Sequence, residues 1–155
     1  MSRSVTGGCR CGAVRYDLTP DRLPPVYCCH CRDCQTWSGS AFVEQAVVPA
    51  NALSITKGAP TEQAFTTPIG VISRQFGCPA CFSRLYTASP SRPGMLTLRA
   101  GTLDASDAVM PIAHIWTKRM QRWITLPDGV PAFAENAPAD AFAAILSRAV
   151  RGEAT

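Results

Sequence analysis

The segment Cys28-Cys29-His30-Cys31-Arg32-Asp33-Cys34 constrains this chain more than any other, because it places four thiols and an imidazole within seven positions. One cysteine is commonly a small buried hydrophobe. Several packed into one short loop either oxidise or take a metal. The segment therefore reads as a metal loop, and the rest of the chain as the scaffold that holds it.

Whether such thiols are metal ligands or disulfides depends on the compartment. The first residues, Met1-Ser2-Arg3-Ser4-Val5-Thr6-Gly7-Gly8, hold no apolar core of a secretory signal. No apolar run approaches membrane-spanning length. A cytoplasmic location is expected, where thiols stay reduced and cysteine pairs read as ligands first. At 155 residues the chain has the length of one domain and can bury a core of its own.

Two further pairs flank the loop's scaffold. Cys9 and Cys11 lie two apart, and in an extended strand such residues face the same way. The glycines beside them permit close approach and positive φ. Cys78-Pro79-Ala80-Cys81 resembles a zinc knuckle, whose tight turn aims both sulfurs at one metal. Its rival, a thioredoxin-like redox pair, needs a helix opening at the motif, whereas Phe82 to Thr87 has strand character. Cys9, Cys11, Cys78 and Cys81 together make a closed, structural Cys₄ zinc site.

In the central loop, an extended chain through residues 28–31 puts Cys29 and Cys31 on one face and Cys28 with His30 on the other. Cys31 and Cys34 form a Cys-x-x-Cys pair. The consistent set is Cys29, Cys31 and Cys34, with a fourth position open as in catalytic zinc. Closure of that position by Cys28 or His30 is the alternative. An open zinc with three sulfur ligands suits binding of a soft thiolate and polarisation of a carbonyl oxygen. Thiol addition to a small aldehyde, or its reversal, needs only these services and proton shuttling. His114 is the remaining acid/base candidate, beside its reading as a hydrogen-bonded structural histidine. Trp37, Trp116 and Trp123 read as core or pocket wall.

The formal charge of +4 does not argue for nucleic acid. Seven thiolates and two Zn²⁺ bring it to about +1. Lys118, Arg119 and Arg122 read as a solvated face. Arg74 and Arg99 are both candidates for holding carboxylates of a thiol substrate.

Short apolar runs separated by Gly and Pro predict strands. They fall at Ala13 to Leu18, with Val14, Tyr16 and Leu18 inward, at Phe42 to Val48, and at Leu53 to Thr56. Glu62 to Thr67 and Val71 to Phe76 pair around Pro68-Ile69-Gly70. Further strands follow at Phe82 to Thr87, Met95 to Arg99, Pro111 to Trp116 and Trp123 to Leu126. One helix is expected over 138–150, where Phe142, Ile145, Leu146 and Ala149 follow helical spacing. The fold class is mainly β, antiparallel sheets around two zinc sites with a C-terminal α-helix. Residues 1–135 form the zinc-binding β domain, and 136–155 a helix and tail of the same domain.

Gly8-Cys9-Arg10-Cys11-Gly12-Ala13-Val14-Arg15-Tyr16, the Cys29-His30-Cys31-x-x-Cys34 loop, Phe76-Gly77-Cys78-Pro79-x-Cys81, Gly101-Thr102-Leu103-Asp104 and His114-Ile115-Trp116 occur in this order. Together they resemble the glutathione-dependent formaldehyde-activating enzyme (GFA) family, whose domain is shared with centromere protein V, over about residues 5 to 133. The resemblance implies a mostly β fold with two zincs. It implies a structural site on Cys9, Cys11, Cys78 and Cys81 and a catalytic-type site on Cys29, Cys31 and Cys34. It also implies carbon–sulfur lyase activity, in the best-known case the reversible joining of glutathione and formaldehyde. Phe82 stands where the family often has glycine, and Cys28 adds a thiol beside the second site. The alternative function is a non-enzymatic zinc module that presents a surface to a protein partner. A weaker third is zinc or redox sensing through Cys28.

Overall fold

The computed structural model describes residues 4–67 and 70–153, so Pro68 and Ile69 of the expected turn lie outside the described residues. In chain order the elements are strands β1 (Val5–Gly8), β2 (Arg15–Leu18) and β3 (Val26–Cys29), then helix α1 (Arg32–Ser38). Strands β4 (Val43–Pro49), β5 (Leu53–Lys57), β6 (Thr61–Thr66) and β7 (Ile72–Gly77) follow. Strands β8 (Arg84–Ala88), β9 (Met95–Arg99) and β10 (Pro111–Ile115) lead to helix α2 (Ala139–Val150). The chain divides into two compact units, Met1–Leu23 with Ala46–Ala108 and Pro24–Gln45 with Val109–Thr155.

In the first unit β1, β2 and β5 form an antiparallel sheet with β2 central. The alternation in β2 is as expected: Tyr16 and Leu18 are buried, as is Val14 just before the strand, while Arg15 and Asp17 are half-buried. Gly7 lies opposite Tyr16. A Cβ on Gly7 would sit 2.3 Å from the Tyr16 hydroxyl oxygen and 2.5 Å from the Thr102 carbonyl oxygen, so only glycine lets the ring lie there. The Tyr16 hydroxyl shares a 2.8 Å hydrogen bond with Thr102 Oγ1. Asp104 accepts from the Arg15 guanidinium and from the Thr6 hydroxyl. The Gly101-Thr102-Leu103-Asp104 turn thus anchors the strands on both sides of the first cysteine pair.

The same unit holds the antiparallel meander β6-β7-β8-β9. Phe76 and Tyr86 are cross-strand partners and stack with ring centres 4.7 Å apart. Leu85 of β8 and Leu98 of β9 are fully buried.

In the second unit all four residues of β3 are buried. Beside it β10 runs parallel, pairing His114 with Cys28 and Ile115 with Cys29, so the pairing is mixed and not antiparallel throughout. Residues 131–135 lie along β10: His114 N–H donates to Pro131 O, and Phe133 N–H to His114 O, both at 2.8 Å. The strand expected at Trp123 to Leu126 is absent. Ile124 closes a turn onto Gln121, and Pro127 follows. Helix α2 starts one residue later than expected, with Pro138 as its cap, and half-buries Phe142, Ile145, Leu146 and Ala149. Phe142 meets the Tyr27 ring edge-on at 5.2 Å.

Two candidate metal centres

Cys9 and Cys11 lie in a tight turn between β1 and β2, not in a strand. Cys9 N–H donates to Val14 O, and Gly12 N–H to Cys9 O, both at 3.0 Å, with Gly12 at φ 74°. The expected convergence holds for a different local reason. The turn curls both sulfurs inward, and Val14 N–H donates to Cys9 Sγ at 3.2 Å. The second half-site follows β7. Cys78 N–H donates to Ser83 O at 2.9 Å and Phe82 N–H to Cys78 O at 3.0 Å, and strand β8 comes next, with no helix opening at the motif. Arg10 N–H reaches Ser83 Oγ at 3.2 Å and ties the two loops together.

The four sulfurs lie within 4.8 Å of one another. Cys9 to Cys11 is 3.6 Å and Cys11 to Cys78 is 3.7 Å. Zinc–sulfur bonds in a tetrahedron separate sulfurs by about 3.8 Å, so the donor set and its spacing fit a zinc ion. The thiols are poised unequally. The Ser83 hydroxyl, then Ser83 and Cys11 backbone N–H groups, draw Cys81 down to about 5. Cys11 is lowered by Ala13 N–H, but the sulfurs of Cys81 and Cys9 outweigh that and push it to about 11. Four adjacent thiolates need a cation to share their charge.

At the second cluster, strand β3 ends at Cys29, the backbone is still extended at Cys31, and Cys31 caps a helix that the cysteine pattern concealed. Cys31 Sγ accepts from Cys34 N–H at 3.4 Å, and α1 closes at Gly39, at φ 67°. The sulfurs of Cys29, Cys31 and Cys34 lie within 4.8 Å of one another. Hydrogen bonds from Cys29 and then Cys34 draw the Cys31 thiol far down, whereas those with Cys31 and then Cys34 drive Cys29 up.

Neither Cys28 nor His30 contributes an atom to that group. Cys28 is buried, and burial, then Glu44, pushes its thiol up to about 12. His30 is fully buried beside the Phe42 ring, and its Nε2 lies 3.1 Å from Nδ1 of His114. Burial holds both imidazoles below their ordinary pKa. His30 Nδ1 and His114 Nε2 are buried without a protein partner. His114 is therefore part of a buried histidine pair.

Two glutamines that position this cluster, Gln35 and Gln45, were not singled out from the sequence. Gln35 Nε2 donates to His30 O at 2.7 Å and Arg119 O at 2.9 Å, while its Oε1 accepts from Gln121 at 2.8 Å. Gln45 donates to Cys34 Sγ at 3.5 Å and accepts from the Tyr27 hydroxyl at 2.8 Å. The available signal was a glutamine, next to Glu44, inside a strand whose other residues are apolar. Of the two arginines considered for carboxylates, Arg74 is engaged by Glu62, whereas Arg99 is buried with Nε and Nη1 unpartnered. Lys118, Arg119 and Arg122 are exposed, as expected. Along the outer face of α1 runs a groove of about 440 Å³ lined by Gln35, Thr36, Ser40, Gln121 and Trp123, among others.

A mainly β chain with two cysteine clusters, each able to hold a metal ion, is the class of protein that fold and sites define. The family model described as "Glutathione-dependent formaldehyde-activating enzyme" matches residues 4–119, and the chain belongs to that family. A crystal structure of a Rhodobacter sphaeroides protein is similar in fold, with TM-score 0.51 and 20% identity, covering 68% of this chain and 91% of that one. No helix among the described residues is long and apolar enough to cross a membrane.

Proposed function

We propose that the protein is a zinc-dependent carbon–sulfur lyase acting on the adduct of a thiol and a small aldehyde, with glutathione the leading thiol. The observation that carries this reading is the convergence of Cys29, Cys31 and Cys34, with Cys28 and His30 outside the group. Three thiolates and one Zn²⁺ leave a tetrahedral position for a substrate atom. Cys9, Cys11, Cys78 and Cys81 would hold a second, closed zinc with a structural role.

Zinc on the three sulfurs would supply Lewis acidity toward a carbonyl or hydroxyl oxygen and affinity for a thiolate. The chain's own residues supply the rest. Gln35 fixes α1 and the loop around Arg119 to each other through both ends of its amide. The groove offers the Thr36 and Ser40 hydroxyls, with Trp123 as an apolar wall, to hold a peptide thiol. In the forward direction sulfur bonds to the aldehyde carbon, the C=O π pair moves to oxygen, and the thiol proton ends on that oxygen. The reverse breaks the C–S bond and returns the proton to sulfur. Neither direction changes oxidation state overall. His114 is not assigned a catalytic role, because it lies buried against His30.

Zinc content and glutathione binding, measured together on the parent and on Cys31→Ala, test this reading. The expected result is two zincs falling to one, with glutathione binding lost and the fold kept. Two zincs in the parent with no thiol bound would overturn the lyase and favour a zinc module that docks a protein partner.

A further inference from the structure

We propose that Gln45 is a positioning residue for the three-cysteine centre and that Tyr27, backed by Phe142 of helix α2, sets its orientation. The inference rests on reading that cluster as a metal centre.

A glutamine amide can point either way round, and here its partners decide. The Tyr27 hydroxyl donates to Oε1 at 2.8 Å. That leaves Nε2, a donor only, 3.5 Å from Cys34 Sγ. The opposite orientation would face a lone-pair oxygen to a sulfur that must be a thiolate to bind metal. Gln45 is 7% exposed, and a buried amide is costly unless both ends are satisfied. Both ends are satisfied, and one partner is Cys34 Sγ of the three-cysteine group.

The consequence is chemical. Three thiolates on one Zn²⁺ carry a net charge of about −1, which weakens the ion as a Lewis acid. An N–H donated to one sulfur withdraws some of that charge and fixes the sulfur's direction. The support extends beyond the family match, which ends at residue 119. Phe142 of α2 packs edge-on against the Tyr27 ring at 5.2 Å, so the C-terminal helix helps hold the hydroxyl in place.

The test uses the full chain loaded with zinc, and separately with Co²⁺. Gln45→Leu should release one metal to a competing chelator at about 10- to 100-fold lower chelator concentration than the parent. Its sulfur-to-Co²⁺ charge-transfer band should shift, because the thiolate has lost its hydrogen bond. The other metal should be held unchanged by the four-cysteine cluster. Tyr27→Phe keeps the ring on Phe142 and removes only the hydroxyl. It should shift the band in the same direction with a smaller loss of affinity, and it serves as the test if Gln45→Leu does not fold. Unchanged affinity and an unchanged band in both variants, with two metals in the parent, would overturn the role of Gln45 and leave the proposed function standing. A parent that binds one metal would overturn both.

Discussion

Nε2 of His30 lies 3.1 Å from Nδ1 of His114, and burial depresses the pKa of both rings. The unfolded chain takes up a proton on a histidine near pH 6.5, its ordinary value, while the folded chain resists. Between the depressed folded value and about 6.5 the unfolded state binds more protons, so stability rises with pH there and is lost on acidification. His114→Gln removes one such group and keeps a hydrogen-bonding partner for His30. The parent's unfolding free energy should fall more steeply than the variant's between about pH 6.5 and 5.5, by up to about 1.4 kcal/mol per pH unit. Parallel urea-denaturation curves across that range, at matched metal content, would rule the idea out.

The two cysteine clusters should differ in what their loss does. Cys9 and Cys11 are joined to Cys78 and Cys81 across most of the first unit's sequence, so a metal there closes a long loop. The other cluster lies within Cys29 to Cys34, where a strand end and a capped helix already bring the sulfurs together. Cys78→Ser should lower the melting temperature by about 10 °C or more, at roughly 2–4 °C per kcal/mol. Cys31→Ser should lose one metal with a shift of only a few degrees, on the order of 1 kcal/mol. Calorimetry with metal analysis decides it, and equal shifts would reject the division into structural and functional sites.

The cysteine spacing carried both clusters because ligand identity is written residue by residue, and period-two alternation carried β2 through Val14, Tyr16 and Leu18. What escaped depended on tertiary partners. Helix α1 is only one or two turns long, and its cap is Cys31, a residue type that spacing assigns to metal and not to capping. Strand β3 ends at Cys29, where β10 pairs Ile115 with it, and Cys31, still extended, turns the chain into α1. The strand expected at Trp123 failed because residues 131–135 flank β10. Gln45 has meaning only beside Cys34 and Tyr27, which are distant from it in sequence.

Gly7, just ahead of the first cysteine motif, and Gly101 should respond differently to a methyl group. Gly7 faces Tyr16 and the Thr102 carbonyl at distances no real Cβ tolerates, whereas a Cβ on Gly101 would meet nothing within 4 Å. Gly7→Ala must push the Tyr16 ring off its bond to Thr102, an overpacking cost of about 1–3 kcal/mol. Gly101→Ala should stay within about 0.5 kcal/mol of the parent. Equal denaturation midpoints for the two variants would mean that the contact between Gly7 and Tyr16 does not constrain the first cysteine turn.

Phe82 explains a departure from the family pattern and supplies a stabilising change. It follows the Cys78-to-Cys81 knuckle at φ 58°, the left-handed conformation that glycine adopts freely, and its side chain is 86% exposed. The knuckle requires that conformation, because Phe82 N–H closes the turn onto Cys78 O at 3.0 Å. A residue with a Cβ carries a cost of about 1–2 kcal/mol there. Glycine removes it, at an entropic cost of about 0.4–1 kcal/mol in the unfolded chain. Phe82→Gly should therefore stabilise the metal-loaded protein by about 0.5–1 kcal/mol, and little packing is lost with so exposed a ring. Phe82→Ala keeps the Cβ and removes the ring, so it should leave stability within about 0.5 kcal/mol of the parent. If alanine stabilises as much as glycine, the exposed ring and not the backbone is the source of the cost. If glycine destabilises, the ring makes a contact that outweighs the strain of its backbone.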